Sequence, residues 1–260
     1  MALAPREALA RGVYTASAGN MAQGVAWNAR RLGIPCTVVV PDHAPQAKLA
    51  PVERLGARVV KVPMERWWQV LVEHQYPGIE GLFIHPVADR AVIAGNGTIG
   101  LEILEDLPEV DAVLVPWGGG GLSCGIASAL GALRPEAKVF GCEAETAAPL
   151  TASLSAGRPV AVDYTPSFVD GIGARGLLPE MWPLAKALIA GSLVSSLDEI
   201  AAALRLLVTR ARIVAEGAGA SSVAAALSGR AGGGKVVCVV SGGNIDLSVL
   251  ATILRCETPQ

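Results

Sequence analysis

No stretch of this chain approaches eighteen uninterrupted apolar residues, so nothing in it reads as a membrane-spanning helix. The opening MALAPREALARG carries charges where a signal peptide would need its apolar stretch, and a cytoplasmic location is the default expectation. A block of lysine and arginine is also missing; with a formal charge of −2, nothing favours nucleic acid or an anionic membrane as partner. The five cysteines, Cys36, Cys124, Cys142, Cys238 and Cys256, include no CxxC pair, which argues against a zinc knuckle or redox dithiol and reads as five reduced core residues. Histidine occurs three times, and His43, His74 and His85 lie on separate segments without ligand spacing, so a histidine metal site is set aside. What remains as partner is a small molecule or another copy of the chain.

Against these absences stand 52% hydrophobic residues and 30 glycines, a mix that suits a buried sheet with tight turns. At 260 residues there is material for one large domain or two modest ones sharing a cleft. Short β-branched runs recur at 36–40 (CTVVV), 57–62 (ARVVKV), 81–85 (GLFIH), 111–116 (DAVLVP), 138–142 (KVFGC) and 235–240 (KVVCVV), with turn signals and helical stretches between them. That alternation predicts an α/β fold with a parallel sheet, and runs that are continuously apolar predict strands covered by helices on both faces. Helices over 21–32 and 46–55 end at Gly33 and Gly56, where a helix C-terminus favours a left-handed residue. No fixed-period repeat or low-complexity linker marks a boundary; the reading assigns 12–88 to a small α/β domain and 1–11 with 89–260 to a larger one.

In open parallel sheets ligands sit beyond the carboxyl ends of the strands, and three loops at such ends stand out. Thr15-Ala16-Ser17-Ala18-Gly19-Asn20 follows a short strand at Val13-Tyr14 and opens a helix. Its small residues leave backbone N–H groups and the Ser17 hydroxyl to an anion, and an ordinary Ser/Asn helix cap explains the same residues equally well. Trp117-Gly118-Gly119-Gly120-Gly121-Leu122-Ser123 leads from DAVLVP into a helix over 124–133. Four consecutive glycines cost backbone entropy that a plain turn does not require, and close approach of a phosphate to bare N–H groups explains them better. The loop fits no GxGxxG register and no Lys-Ser/Thr follows it, so a single phosphate suits it better than a dinucleotide or a Walker-type ligand. A GxxxxGK at 229–235 is a decoy, since Val236 stands where a hydroxyl is required and the glycines precede a strand. Ser241-Gly242-Gly243-Asn244 closes the last run, with a helix over 245–254 beyond; its hydroxyl can bond the edge of a flat ligand or belong to a structural turn.

Taken in order, SAGN, GGGGL and SGGN resemble the fold-type II pyridoxal-phosphate enzymes, most closely the threonine dehydratase and serine racemase family. The likeness runs through TASAGNMAQGVAWNARRLGIPCTVVVP, VIAGNGTIGLEILE, VPWGGGGLSCGIA and SGGNID, nearly the full length. The resemblance implies a tryptophan synthase β-like fold, two open parallel α/β domains with the cofactor cleft between them. It implies pyridoxal 5′-phosphate as cofactor, with Asn20 at the ring hydroxyl, Gly118, Gly119, Gly120, Gly121 and Leu122 donating N–H groups to the phosphate, and Ser241 facing the pyridine nitrogen. Ser17, Ala18, Gly19, Asn20 and Met21 would surround the substrate carboxylate. Glu216, in AEGAGA, corresponds to an acidic residue near the ring, and is equally readable as a helix-start charge. A hydroxyl at the pyridine nitrogen gives a shallower electron sink than a carboxylate would, which favours prompt β-elimination of L-threonine or L-serine to a 2-oxo acid and ammonia. A serine racemase-like enzyme, a β-replacement enzyme and a β-hydroxyaspartate dehydratase would share these loops. The resemblance also implies a homodimer. In serine racemase-like relatives a divalent cation is bound, and here Glu143 and the Ala147 carbonyl of GCEAETAAP would serve, with Pro149 in place of the expected acid.

The sequence departs from the family in one respect that matters for chemistry. The Schiff-base lysine of these relatives lies in a Ser-x-Lys-x-Arg-Gly type segment upstream of SAGN, and no such segment occurs here. Lys48, Lys61, Lys138, Lys186 and Lys235 all stand in helix-surface, strand-end or turn contexts. The expectation is a truncated sequence, inactive or nearly so as written, with a non-catalytic paralogue that binds a phosphate ligand as the competing reading. Met21 stands where histidine is usual and Asn96 where glutamine is usual. After SGGNIDLSVLATIL only six residues remain, from which a catabolic form without a regulatory domain is expected.

Overall fold

The apolar runs of the sequence become parallel strands, and the computed structural model, which describes residues 1, 4–44 and 46–259, shows what covers each face. Contacts divide the chain into two units, Met1–Val92 and Ile93–Gln260. The first holds strands β1 (Val13–Ala16), β2 (Cys36–Pro41), β3 (Arg58–Val62) and β4 (Leu82–Phe83) in the order β3-β2-β1-β4, every pairing parallel. Side chains alternate across a strand, so β2 feeds two cores at once. Val38 and Val40 pack with Ala22, Val25, Ala26 and Ala29 of α2 (Asn20–Leu32) and with Leu49 and Val52 of α3 (Gln46–Arg54). Val39 packs with Val70 and Leu71 of α4 (Met64–Glu73). A strand covered on both sides has no polar face to show, which is why CTVVV reads as an unbroken apolar run. The short helix α1 (Arg6–Leu9) precedes β1, and Met1 and Leu9 pack against the first unit's core.

The second unit is built the same way on β5 (Ala112–Pro116), β6 (Lys138–Ala144), β7 (Gly191–Ser195) and β8 (Val236–Cys238), in the order β7-β6-β5-β8 and again all parallel. Its helices are the greater part of α5 (Arg90–Asp106), then α6 (Gly121–Leu133), α7 (Pro149–Ala156), α8 (Trp182–Leu188), α9 (Leu197–Leu206), α10 (Gly217–Leu227) and α11 (Leu247–Leu254). Helix α10 lies across all four strands and buries Leu114, Cys142 and Leu193 against Ala225. On the opposite face Gly141 leaves room for Leu150 of α7 and for Trp117.

Several elements differ from the sequence reading. Strand β7 was not read, because GSLVS carries serine at both ends of a short apolar core, and the capping box Ser196/Glu199 that opens α9 was overlooked although its Ser-x-x-Glu spacing is present. The run 235–240 shortens to the three residues of β8, which sits at a sheet edge with Val236, Val237 and Cys238 half-buried rather than covered on both faces. The reading of all five cysteines as core residues is corrected: Cys36, Cys124 and Cys142 are buried, but Cys256 is exposed. His74 and His85, distant in sequence, bring their rings within 4.6 Å of one another. The Nδ1 of buried His85 accepts from the N–H groups of Val87 and Ala88, so the proton sits on Nε2 and is donated to Leu71 O at 3.1 Å.

Helices α5 and α6 cross at backbone contact. A Cβ on Gly125 would lie 2.4 Å from the Ile93 carbonyl oxygen, and one on Gly100 would lie 3.0 Å from the Ile126 carbonyl. Gly125→Ala is therefore expected to lower stability by about 1–3 kcal/mol, whereas Gly131→Ala, near the end of the same helix with nothing within 4 Å, should be neutral or raise it by up to about 1 kcal/mol; urea midpoints decide between the two. Burial pushes the Cys36 thiol up to about 11 and the Cys124 thiol up to about 12. Their folded values exceed the unfolded one, so the stability they contribute is intact below pH 9 and is lost as pH rises toward those values. Unfolding midpoints should accordingly fall above pH 9, and at pH 8 mass spectrometry after iodoacetamide treatment should find Cys256 alkylated well before Cys36, Cys124 or Cys142.

Candidate functional site

The glycine loop takes its shape from what lies under it. At the end of β5 the Trp117 N–H donates to Cys142 O at 2.8 Å, and the Trp117 side chain is fully buried with no hydrogen-bond partner for its indole N–H among the described residues. Gly120 sits above that ring at φ 93, and a Cβ there would lie 2.6 Å from it. Both the dihedral and the contact demand glycine. Helix α6 begins at Gly121, three residues earlier than the sequence reading placed it, with Gly120 as an N-cap that has no side-chain cap bond. The Ser123 hydroxyl, in the first turn, donates back to Pro116 O at 3.1 Å. Among the described residues the first-turn N–H groups of Gly121, Leu122 and Ser123 have no intrahelical or side-chain acceptor, at the positive end of a helix and with no Cβ on Gly118, Gly119, Gly120 or Gly121 to screen them. A phosphate monoester fits that donor set.

The same unit carries the other ring-end candidates, and close backbone approaches tie them to the loop. A Cβ on Gly118 would lie 3.2 Å from Gly171 O, and one on Gly171 would lie 3.1 Å from a Glu216 carboxylate oxygen. Glu216 is the N-cap residue of α10; its N–H donates to Gly242 O at 2.9 Å, and its Oε2 accepts from the Asn244 N–H at 3.1 Å. Ser241, at the start of this turn, is exposed beyond the carboxyl end of β8. The structure therefore brings residues 118–122, Glu216 and Ser241 into one connected neighbourhood of the second unit.

In the first unit the SAGN loop follows β1 as expected. The Ser17 hydroxyl accepts from the Gly19 N–H at 3.3 Å, a local turn, and no side chain caps α2, which starts at Asn20. The N-cap position of α2 is Gly19, which has no side chain to cap the helix. Ala18 and Met21 turn their side chains against the core beneath, which leaves their backbone as the part that can meet a ligand. Thr15, fully buried two residues before Ser17, has a hydroxyl without a partner among the described residues.

Glu143 has a role that the sequence did not disclose. Buried on β6, its carboxylate accepts from the Leu150 N–H at 2.7 Å, the Thr151 N–H at 2.8 Å, the Thr151 hydroxyl at 2.8 Å and the Ser192 hydroxyl at 2.8 Å. It holds the amino end of α7 to the sheet, while Ala147 pairs its N–H with Ala144 O at 3.1 Å.

The lysines fall elsewhere. Lys138 opens β6, and Lys235 precedes β8, where it pairs with Glu109. In a parallel sheet both therefore lie at the end opposite the glycine loop and Ser241. Lys61 is exposed on β3, Lys186 is exposed on α8, and Lys48 is half-buried on α3.

A pair of parallel α/β units, one of them ending its central strand in an uncapped glycine elbow, defines a protein built to hold a phosphorylated small molecule. Residues 1–242 match the family described as pyridoxal-phosphate dependent enzyme, and the chain belongs to that family. It is 43% identical over 249 residues to an L-threonine ammonia-lyase of Thermotoga maritima, a match that covers 94% of this chain and 62% of that protein. Among solved structures it is similar to maize serine racemase, with a TM-score of 0.87 and 31% identity over 97% of this chain and 79% of that one. It is likewise similar to the processed form of threonine deaminase isoform 2 from Solanum lycopersicum, with a TM-score of 0.86 and 33% identity over 98% and 76%. The tryptophan synthase β-like fold read from the sequence is the fold observed.

Replacing Glu143 by alanine strands four donors in a buried place, and Glu143→Ala should lose roughly 2–4 kcal/mol of stability, measured by chemical denaturation, with Glu143→Gln losing less.

Proposed function

We propose that this chain carries the cofactor and substrate loops of a pyridoxal-phosphate-dependent L-threonine or L-serine ammonia-lyase, which forms a 2-oxo acid and ammonia by β-elimination. The observation that carries the reading is the uncapped glycine elbow of Gly118, Gly119, Gly120 and Gly121, tied through Gly171 and Glu216 to the turn that bears Ser241. In this reading the N–H groups of residues 118–122 hold the phosphate, and the Ser241 hydroxyl donates to a neutral pyridine nitrogen. Asn20 meets the ring hydroxyl, and the backbone of Ser17, Ala18, Gly19 and Met21 orients the substrate carboxylate. When bound, pyridoxal phosphate supplies the electron sink for loss of the α-proton and β-hydroxyl. The functional division that goes with it assigns 12–88 to the substrate carboxylate and 1–11 with 89–260 to the cofactor.

The dehydratase reading is favoured over racemization because the L-threonine ammonia-lyase of Thermotoga maritima is more similar in sequence, at 43% identity, than maize serine racemase, at 31%. The chain spans only 62% of that relative, so the activity of the whole protein is part of the proposal. So are a homodimeric state and a cytoplasmic location, which rest on the resemblance and on the absence, among the described residues, of a helix long and apolar enough to cross a membrane. For a divalent cation at Glu143 and the Ala147 carbonyl the geometry offers a competitor: a cation would have to displace the donors of Leu150, Thr151 and Ser192.

In this reading none of Lys48, Lys61, Lys138, Lys186 and Lys235 attaches the cofactor, so this polypeptide holds it without a covalent bond and turns over slowly or not at all. Titration with pyridoxal phosphate, followed by phosphorus NMR and absorption, should show reversible binding that Gly120→Ala weakens at least about tenfold. Binding indifferent to Gly120→Ala would remove the phosphate assignment, and borohydride fixation of cofactor on any of the five lysines would overturn the absence of attachment.

A further inference from the structure

Residues 239–246 have no regular secondary structure, yet Ser241 can meet a pyridine nitrogen only if its backbone is held still. Two bonds from one residue bracket this turn: the Glu216 N–H donates to Gly242 O at 2.9 Å, and the Asn244 N–H donates to Glu216 Oε2 at 3.1 Å. We infer that Glu216 is a positioning residue that straps the Ser241-Gly242-Gly243-Asn244 turn through its carboxylate, acting on the ring end of the site through the backbone and not by contact with the ring. The inference rests on the cofactor reading for its consequence, though the strap itself does not.

Three close approaches support the strap. Gly219, in the first turn of α10, lets the turn lie against the helix: a Cβ there would stand 2.9 Å from Gly242 O and 3.4 Å from Ser241 N. Gly171 lets its own backbone approach the other side of the carboxylate, a Cβ there reaching to 3.1 Å from Glu216 Oε1. Gly118 in turn packs on Gly171, where a Cβ would lie 3.2 Å from the Gly171 carbonyl oxygen. One carboxylate therefore links the turn that presents the hydroxyl to the segment that supports the phosphate elbow. A bond from a backbone N–H to a carboxylate is among the stronger neutral-donor bonds, and its loss leaves the Asn244 N–H of a glycine-rich turn without that acceptor.

The test separates acceptor geometry from charge. In the 260-residue chain, hydrogen exchange read by NMR should find the Asn244 amide protected, Glu216→Ala should speed its exchange about tenfold or more, and Glu216→Gln, which keeps an acceptor oxygen, should restore most of the protection. Pyridoxal phosphate affinity should follow the same order, with Glu216→Gln near wild type and Glu216→Ala weaker by about tenfold. If Asn244 exchanges as slowly in Glu216→Ala as in wild type, there is no strap. If Glu216→Gln keeps Asn244 protected but binds the cofactor as poorly as Glu216→Ala, the carboxylate acts by its charge on the ring and the inference is overturned. A wild-type chain that binds no pyridoxal phosphate would defeat the functional reading alone, and Asn244 exchange would still decide the strap. Circular dichroism checks each variant's fold, and should Glu216→Ala not fold, Glu216→Gln against wild type carries the comparison in both readouts.

Discussion

A helix that starts where a parallel strand ends presents backbone N–H groups that have no carbonyl one turn back to receive them, and most proteins cover such groups with a serine, threonine or aspartate cap. Helix α9 does so through Ser196 and α11 through Asp246, whose carboxylate accepts from the Ser248 N–H at 2.7 Å. Helix α6 does not: its N-cap is Gly120, and the Ser123 hydroxyl of its first turn donates to Pro116 O. Nearly everything else in the second unit serves to keep that uncapped end in place and accessible. Trp117 fills the space under the elbow, Gly120 takes a left-handed dihedral to pass over the ring, and Gly125 allows α5 to press against α6 at backbone distance. Close packing around so few polar groups keeps the helix behind that end from shifting.

Charge in the second unit is handled with similar economy. Glu143 is buried, and it is tolerated there because four donors converge on its two oxygens and anchor α7 across from β7. Glu216, less buried, spends its carboxylate on the turn that presents Ser241. Both carboxylates accept bonds from backbone N–H groups and so hold backbone in place.

Much of this was legible beforehand. Continuous apolar runs such as CTVVV and DAVLVP announced covered parallel strands because such strands have no wet face, and glycines at 33 and 56 marked helix ends because few other residues adopt that dihedral cheaply. The glycine elbow stood out because four consecutive glycines cost backbone entropy that a plain turn does not require. What escaped was what depends on partners far apart in the chain. Strand β7 exists because β6 offers it an edge and α7 packs on it, not because GSLVS strongly favours a strand. The run at 235–240 was overread because an edge position, which only topology assigns, leaves it half-buried. Cys256 looked like any other cysteine, and only its place after the last helix leaves it exposed.

By itself the amino-acid sequence determined the kind of element at most positions, the three strand-end loops, and through their order a likeness to the pyridoxal-phosphate enzymes of the threonine dehydratase type. Those properties are local: dihedral preference, periodicity and residue chemistry act within a few residues of one another. The tertiary structure alone decided that Glu143 and Glu216 hold backbone in place, that Lys138 and Lys235 face away from the glycine elbow, and that His85 keeps its proton on Nε2. A hydrogen bond depends on a distance of about 3 Å between atoms, and chain order does not encode such distances until the strands have chosen their neighbours.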